Sequence, residues 1–270
     1  MAIKQIVLFF FLISFLSSLK AQTFKVEMAT NMGNMTFVLY DDTPLHRNAF
    51  LELTRDAYFD NTLFYRVIEG FMIQGGSRDS RNAPQGAFIG YGDPTKMVND
   101  EILEHHICKK GALCAPRQPN EVNIFKQSDI SQFFVIQGRV YTPGRLDTLE
   151  LAVNRPIRNK IVKEVYNETQ KEKFASLKAE ERFTEAKQLA DSIKDEIAFR
   201  YTMAQGKLEF TSEQRQAYST VGGSLEIENE YTVFGEIIDG IEVIDKIAAL
   251  KTDKNNRPYT DVIIRVREID

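Results

Sequence analysis

One stretch of this chain decides its interpretation, and it reads Phe64-Tyr65-Arg66-Val67-Ile68-Glu69-Gly70-Phe71-Met72-Ile73-Gln74-Gly75-Gly76. Residues 62–68 and 71–74 are rich in the aromatic and β-branched side chains that favour strands. The Glu69-Gly70 pair between them is typical of a turn. The stretch therefore predicts two strands joined by a tight turn.

Arg66 is the unusual residue of the first strand. Side chains alternate between the two faces of a strand, so Arg66 is predicted to share a face with Phe64 and Ile68. A cation among apolar neighbours is unfavourable unless it has a partner or faces a cleft. Met72 and Gln74 are predicted to share a face of the next strand, where Gln74 is a candidate partner. Taken alone, the pattern favours a surface arginine on an edge strand, held by Gln74 or by a carboxylate.

Further strands and two helices are predicted on either side of this stretch. Asn31-Met32-Gly33-Asn34 is predicted to turn a hairpin between the first two strands. A helix is predicted at 45–55, where Thr43 is a candidate cap and Pro44 suits the first helical position. A second helix is predicted at 241–250. The strand-like runs are residues 24–30, 35–40, 111–115, 132–136, 231–237 and 262–266.

The composition changes between residues 146 and 218, which are rich in Lys, Glu, Ala and Leu and poor in Gly. Apolar residues recur there at spacings of three and four, which is the pattern of amphipathic helices. The interval 139–220 is therefore predicted to be a helical hairpin or arm inserted into a strand-rich body. A solvated spacer is the favoured role, and a dedicated binding arm is the alternative.

The composition excludes several classes of protein. With 43% hydrophobic and 27% charged residues the chain can bury a core, which excludes wholesale disorder. A net charge of −4 argues against a nucleic-acid binder. Two cysteines are too few for a disulfide scaffold or a Cys-rich zinc site. A Cys108–Cys114 bond is geometrically conceivable, but a buried, small apolar role is favoured for Cys114. His46, His105 and His106 lack ligand spacing and are expected at the surface, so no metal is expected.

The first 21 residues are predicted to be a signal peptide. Lys4 precedes an apolar run over residues 6–16, and small residues lead to Ala21. The run is shorter than the ~20 residues that span a bilayer, which favours cleavage over a retained anchor. No other stretch is long and apolar enough to cross a membrane. The mature protein is therefore expected to be exported, periplasmic or secreted, with cleavage after Ala21.

The stretch 64–76 resembles the cyclophilin family of peptidyl-prolyl cis–trans isomerases. The family pattern Phe-x-Arg-Val-Ile-x-Gly-Phe-Met-x-Gln-Gly-Gly is matched at every named position. Three further segments match in the family's order: Lys110-Gly111-Ala112-Leu113, Ser131-Gln132-Phe133-Phe134-Val135 and Tyr231-Thr232-Val233-Phe234-Gly235-Glu236-Ile237. A family-like helix follows the last of them, from Gly240 to Ile247. The resemblance covers residues 24–138 and 221–270 and leaves 139–220 outside it.

The resemblance implies a mainly β fold with α, a closed eight-stranded antiparallel barrel capped by two helices. The predicted helices at 45–55 and 241–250 fit those caps. With the signal peptide and the insertion, the expected domains are 1–21, a barrel of 22–138 with 221–270, and a helical insertion of 139–220. Barrel closure also removes the exposed edges that open sheets must protect.

The resemblance also implies an activity, the isomerisation of peptide bonds before proline. In this reading Arg66 donates a hydrogen bond to the prolyl nitrogen and Gln74 holds Arg66, so these two are the expected catalytic residues. No cofactor is required, and the expected partners are proline-containing unfolded or partly folded polypeptides, with no nucleic acid. The residues expected to bind substrate are Phe71, Met72, Gln132, Phe134, Ile227, Tyr231, Tyr65 and Arg117.

Several positions depart from the family's usual residues. Tyr65 and Tyr231 stand where many members have His, and Ile227 where Leu is usual. Pro116-Arg117 and Asp129-Ile130 also differ from the family's pattern at the expected rim of the site. These departures leave an alternative open, a non-catalytic chaperone or interaction module that uses the proline pocket and the helical arm.

Overall fold

The computed structural model describes residues 24–169 and 171–270. The predicted signal peptide, residues 1–21, lies outside the described residues. The described chain divides into two compact units, residues 24–138 with 224–270 and residues 139–223. The first unit carries all the barrel strands and the second is helical.

Eight strands close into a barrel in the order β1-β10-β3-β4-β8-β6-β9-β2, and every pairing between neighbours is antiparallel. The predicted barrel and its eight strands are confirmed, with differences only at strand ends. Two further short strands, β5 and β7, pair with each other outside the barrel. The strands are β1 Phe24–Thr30, β2 Gly33–Leu39, β3 Thr62–Ile68, β4 Met72–Gly75, β5 Met97–Val98, β6 Ala112–Cys114, β7 Ser128–Asp129, β8 Phe133–Ile136, β9 Val233–Asp239 and β10 Ile263–Ile269.

Six α-helices lie within the described chain, and two of them belong to the barrel unit. Phe50 on the first helix packs in the barrel core against the rings of Phe59, Phe133 and Phe234. The last helix adds four buried apolar side chains to the same core. Both predicted capping helices are therefore part of the barrel's hydrophobic core. The helices are α1 Pro44–Arg55, α2 Pro143–Thr169, α3 Lys171–Ala179, α4 Phe183–Met203, α5 Ser212–Thr220 and α6 Glu242–Ala248.

The start of α1 is stabilised differently from the prediction. Thr43 makes no side-chain capping hydrogen bond, so its predicted role is wrong. The Glu101 carboxylate, from a distant loop, instead accepts hydrogen bonds from the backbone N–H groups of Leu45 and His46 at 2.9 and 3.0 Å. A carboxylate at this end also complements the positive end of the helix dipole. His46 is fully buried and not at the surface, because it lies on the inner side of this first turn.

A β-bulge at Tyr65 changes the predicted face of Arg66. Phe64 pairs with Gly75 and Arg66 pairs with Gln74, so β3 contains one more residue than β4 between these two pairs. Phe64 therefore lies in the barrel core, and the prediction that it shares a face with Arg66 is wrong. Strict alternation fails at a bulge because the extra residue reverses the side-chain pattern beyond it. Arg66 and Ile68 do share a face.

The helical unit, residues 139–223, has its own small core. Leu177, Ala186 and Leu189 form a buried cluster between α3 and α4, and Ile161 and Val165 on α2 are buried as well. These side chains follow the spacing of three and four that predicted helices here. No helix among the described residues is long and apolar enough to cross a membrane.

Candidate active site

A row of paired residues crosses four neighbouring strands of the barrel wall. Arg66 on β3 pairs with Gln74 on β4, Gln74 with Phe134 on β8, and Phe134 with Cys114 on β6. Directly paired residues present their side chains on the same face of a sheet. The residues between them along each strand, such as Ile73 and Val135, lie in the barrel core. The row therefore faces the outside of the barrel.

An apolar cluster covers this outer face, and we call it the outer cluster. Five of the predicted substrate-binding residues belong to it: Phe71, Met72, Phe134, Ile227 and Tyr231. Met72 and Phe134 are almost fully buried, whereas Phe71 and Tyr231 are half-buried. The Tyr231 ring meets the Phe134 ring edge-on, with centroids 5.3 Å apart. The other members are Tyr40, Ile68, Cys108, Ala112, Cys114, Ile136 and Val233.

Both cysteines lie in the outer cluster. Cys108 and Cys114 are free thiols and are completely buried. A hydrogen bond to Cys114 and burial among apolar side chains raise the pKa of the Cys108 thiol well above its usual value. A thiol with a raised pKa carries little thiolate, so Cys108 acts as a small apolar side chain. Cys114 is buried in the same cluster and pairs with Phe134 across the strands.

Arg66 stands at the edge of the outer cluster and is half-buried. Its Nη1 donates a hydrogen bond to Oε1 of Gln74 at 3.2 Å. Among the described residues it forms no ion pair with a carboxylate and makes no other side-chain hydrogen bond. A guanidinium has five N–H donors, so four remain for a bound molecule. The structure thus holds a positively charged donor beside an apolar surface.

A second polar chain runs through Tyr65, Gln132 and Asp129. The Tyr65 hydroxyl donates to Oε1 of Gln132, and Nε2 of Gln132 donates to Oδ2 of Asp129 at 2.7 Å. Asp129 also accepts from the backbone N–H of Ser131 at 3.0 Å. Both amide atoms of Gln132 are therefore occupied within the protein. The sequence analysis expects Gln132 to bind substrate, and the structure shows its amide paired with Tyr65 and Asp129.

Burial shifts the pKa values of both ends of this chain. It raises the pKa of the Tyr65 hydroxyl, and the charges of Asp129 and Asp79 raise it further. Burial also raises the pKa of Asp129, although hydrogen bonds from Ser131 and Gln132 oppose the shift. The Tyr65 hydroxyl is consequently protonated at every physiological pH, so it donates a hydrogen bond and is uncharged.

The loop around Gly90 and Gly92 lies directly against this chain. Gly92 has φ +71°, and a Cβ there would lie 1.8 Å from Oδ2 of Asp129 and 2.3 Å from Nε2 of Gln132. Gly90 has φ +94°, and a Cβ there would lie 2.4 Å from the Tyr65 ring. Both positions need glycine, for the backbone conformation and for the close approach. Neither was singled out from the sequence, although the Gly90-Tyr91-Gly92 pattern is a turn signal.

Arg117 is anchored within the protein. Its Nε donates to the backbone oxygen of Glu230 at 2.7 Å, and its Nη2 donates to the Glu230 carboxylate at 2.7 Å. Its Nη1 donates to the backbone oxygen of Gln118 and to Oδ1 of Asn120. Its Cζ lies 5.1 Å from the centroid of the Tyr231 ring, in the range of a cation–π contact. Arg117 thus packs on the Tyr231 ring and restrains its position.

A cleft of about 560 Å³ opens beside the two glutamines. None of its lining residues belongs to the outer cluster, so the apolar surface and the cleft are adjacent but separate features. Gln74 joins them, because it lines the cleft and also pairs with Arg66 and Phe134. The cleft is lined by Gln74, Gly90, Tyr91, Gly92, Pro94, Met97, Pro116, Arg117, Gln118, Asp129 and Gln132.

All ten predicted site residues are therefore gathered on one side of the barrel unit, in two groups that meet at Gln74. A family model described as cyclophilin type peptidyl-prolyl cis-trans isomerase/CLD matches residues 25–149 and 149–268, which is nearly the whole described chain. The chain belongs to this family. The two matches meet at residue 149, within the helical unit, so this cyclophilin-type protein matches the family model across residues 139–223 as well.

Bacterial relatives of this cyclophilin-type protein bear the same family name. "Putative peptidyl-prolyl cis-trans isomerase" of Staphylococcus epidermidis is 26% identical over 91% of this chain and 91% of its own length. "Putative bifunctional phosphatase/peptidyl-prolyl cis-trans isomerase" of Streptococcus pyogenes is 25% identical over 91% of this chain, which spans only 38% of that protein. A crystal structure of a cyclophilin type peptidyl-prolyl cis-trans isomerase from Cryptosporidium parvum aligns over 92% of this chain and 99% of its own, with 20% identity and a TM-score of 0.48.

Proposed function

We propose that this protein accelerates the cis–trans isomerisation of peptide bonds before proline by donating a hydrogen bond from Arg66 to the prolyl nitrogen. The observation that carries the proposal is the half-buried Arg66 guanidinium, held by one neutral partner beside the outer cluster. It leaves donors free between the apolar outer cluster and the cleft whose lining includes the amides of Gln74 and Gln132. A bound proline needs those same two environments, one for its ring and one for the peptide backbone.

Rotation about the bond requires a donor of this kind. The barrier is ~18–20 kcal/mol because resonance gives the C–N bond double-bond character. Twisting the bond breaks the resonance and returns a lone pair to the proline nitrogen. A donor aimed at that nitrogen stabilises the twisted state more than either planar isomer, and differential stabilisation of this sort accelerates a reaction. The guanidinium stays charged at any relevant pH, so the donor is always present.

The hydrogen bond from Arg66 accounts for only part of the rate enhancement. A hydrogen bond to a charged group contributes about 1.5–3 kcal/mol, and each ~1.4 kcal/mol changes a rate tenfold. The remainder is assigned to fixing the proline ring against Phe71, Met72 and Phe134 while the preceding residue turns. Gln74 keeps the guanidinium oriented, and Tyr231, fixed by Arg117, forms one wall of the apolar surface.

The client proteins are proposed to be exported polypeptides. X-Pro isomerisation takes tens to hundreds of seconds without a catalyst, which is slow enough to limit folding after transport. The support for export is the sequence pattern of residues 1–21, with Lys4, an apolar run and a terminal Ala21. Mass spectrometry of the protein from its source cells tests this point. A mature chain starting at Gln22 is expected, and an intact residue 1 in the cytosolic fraction contradicts it.

The decisive experiment compares the rates at which Arg66→Ala, Arg66→Lys and the wild type isomerise a short proline peptide. NMR line shapes or a protease-coupled assay measures these rates. Arg66→Ala is expected to lower kcat/KM about tenfold to a hundredfold. Arg66→Lys keeps the charge but loses the planar fork, so an intermediate loss is expected. Arg55→Ala, at an exposed arginine that pairs with Glu268, is the matched control. Turnover by Arg66→Ala equal to that control overturns the proposal.

A further inference from the structure

A cluster of two histidines and one aspartate lies outside the proposed active site. Asp42 follows β2 and precedes α1, and His105 and His106 occupy a turn in the loop between β5 and β6. Nε2 of His105 lies 2.8 Å from Oδ2 of Asp42, and Nε2 of His106 lies 2.8 Å from Oδ1. Asp42 is more than 60 positions from the two adjacent histidines in the chain. The fold alone brings them together.

The three side chains bring their ligand atoms close together. Within residues 24–169 and 171–270, this is the one group of three His, Cys, Asp or Glu residues whose ligand atoms all lie within 4.8 Å of one another. Two successive residues in an extended strand point their side chains to opposite faces. Here the turn directs both imidazoles to the same carboxylate, with ring centroids 4.2 Å apart.

The exposure of the three groups also suits a bound ion. The His106 side chain is only 11% exposed and stacks on the Tyr40 ring, with centroids 4.1 Å apart and planes 15° from parallel. It is therefore a fixed ligand. The side chains of His105 and Asp42 are 64% and 47% exposed, so they can adjust and leave an open side for water. Ligand atoms around a tetrahedral zinc ion lie about 3.3 Å apart. Here each Nε2 lies 2.8 Å from one carboxylate oxygen, and all three ligand atoms lie within 4.8 Å of one another, so small shifts reach that geometry.

We infer that Asp42, His105 and His106 bind one divalent transition-metal ion of the zinc class. Two imidazole nitrogens and one carboxylate are a recurrent ligand set for zinc, with water in the fourth position. The same set accepts Co²⁺ and Ni²⁺, since imidazole suits all three ions. It is poorly suited to Ca²⁺ or Mg²⁺, which prefer oxygen ligands. Without metal, Asp42 simply accepts hydrogen bonds from the two imidazoles.

The ion would join two segments that the fold already brings to one place. The loop that carries His105 and His106 also supplies Glu101 to the start of α1, and Asp42 lies just before that helix. A metal bound here ties this loop to the end of β2 through coordination bonds in place of hydrogen bonds. Because a ligand that binds only the folded state stabilises it, the protein is expected to melt at a higher temperature with the ion than without it.

The test uses full-length mature protein, purified without a histidine tag and freed of metal with a chelator. Zn²⁺ is titrated in competition with a chromophoric chelator. Binding of one equivalent is expected for the wild type, with a Kd raised about tenfold or more by Asp42→Asn and by His105→Gln. Asp41→Asn is the matched control, because the adjacent Asp41 carboxylate is exposed and pairs with Arg47. This control is expected to bind within about twofold of the wild type and to show the same rise in Tm.

Cobalt distinguishes this site from the buried thiols. Co²⁺ bound by two imidazoles and a carboxylate gives visible d–d bands without the strong near-ultraviolet bands of thiolate ligands, which Cys108 and Cys114 would supply. Spectra of the first kind, lost in Asp42→Asn and retained in Asp41→Asn, support the inference. Three results overturn it: no saturable binding at one equivalent, equal affinity of Asp42→Asn and wild type, or thiolate bands in the cobalt spectrum.

Discussion

The Arg66 guanidinium donates from Nη1 to Oε1 of Gln74 at 3.2 Å, across the pairing between β3 and β4. Because the partner is a neutral amide, it orients the guanidinium without neutralising the charge. A carboxylate in the same place would hold Arg66 more strongly and would also weaken its attraction for a developing lone pair. The pair therefore combines a fixed direction with an undiminished donor.

Replacing Gln74 with Leu tests this orienting role. The side chain keeps a similar volume but no longer accepts from Arg66, so the guanidinium samples more rotamers. A loss of about tenfold in kcat is expected, with KM changed less, because one charged hydrogen bond is removed from the positioning of the donor. The measurement is the isomerisation assay on a proline peptide. Gln85→Leu is the control, at an exposed glutamine that donates to the backbone oxygen of Tyr259 and to Asp261. Equal activity of the two variants contradicts the role.

Gly92 tests the contact between its loop and the Asp129–Gln132 pair. Gly92→Ala is expected to displace both side chains, because a Cβ would overlap Oδ2 of Asp129 and Nε2 of Gln132. Gly86→Ala is a close control, since Gly86 also has positive φ, +81°, but nothing lies within 4 Å of its added Cβ. Both variants carry a left-handed backbone penalty of about 1 kcal/mol.

The difference between these two variants isolates the clash. Gly92→Ala is expected to be less stable than Gly86→Ala by a further 1–3 kcal/mol or so, and to lose activity as the cleft wall shifts. Urea unfolding and the isomerisation assay measure the two effects. Equal stability of the two alanine variants would show that the loop simply moves away from Asp129.

Arg117 has two possible roles, and coupling to Tyr231 separates them. If Arg117 acts by fixing Tyr231, the variant Tyr231→Leu already removes what Arg117→Met would remove. The double variant is then expected to lose less activity than the product of the single losses, a coupling of about 0.5–1 kcal/mol for a cation–π contact at a partly exposed site. Four of its five N–H donors are occupied within the protein, which favours this role. Additive losses in kcat/KM would assign Arg117 to direct contact with substrate.

The sequence predicted the barrel well because its strands carry strong local signals. The runs at residues 24–30 and 62–68 agree with β1 and β3 at both ends. The outer surface was also predicted, since Met72 and Phe134 lie on strands whose alternation is regular. What strand alternation alone could not predict is the bulge at Tyr65, which depends on how β3 pairs with β4 and not on β3 itself.

The errors share one cause, contacts between residues distant in the chain. Thr43 has the right chemistry to cap α1, yet Glu101 takes that place because the fold brings its loop to the helix. His46 was expected at the surface and is buried beneath the same carboxylate. The pairing of Gln132 with Tyr65 was not predicted either, and it depends on strand β3 lying near the loop before β8. A single sequence carries no signal for such partners.

His46 makes the stability of the barrel unit depend on pH. Its ring is fully buried, Nδ1 lies 2.8 Å from Oε2 of Glu101, and Nε2 has no hydrogen-bond partner among the described residues. Burial lowers the pKa of His46 below its ordinary value, although the Glu101 carboxylate opposes the shift. We take the ring as neutral, because a proton on Nε2 would be a buried donor with no acceptor.

The direction of the effect follows from proton uptake by the unfolded chain. The unfolded state gains a proton on His46 as the pH falls through ~6.5, whereas the folded state resists protonation down to its lower pKa. The contribution of His46 to the free energy of unfolding is thus at its full value above pH ~7.5, and it declines as the pH falls below ~6.5. Asp60 and Asp93, whose pKa values are lowered, act in the same direction only nearer the ordinary carboxylate range.

A comparison of His46→Gln with the wild type isolates this contribution. Between pH 7.5 and 5.5 the wild type is expected to lose about 1 kcal/mol more of its unfolding free energy than the variant, which cannot titrate at this position. Urea unfolding at the two pH values, followed by circular dichroism, gives the difference. Buried Asp129, whose pKa is raised, contributes equally to both proteins and cancels. Parallel pH profiles for the two proteins would mean that the pKa of His46 is the same in the folded and unfolded states. A wild type that gains stability relative to the variant as the pH falls would mean that folded His46 is protonated, as an ion pair with Glu101.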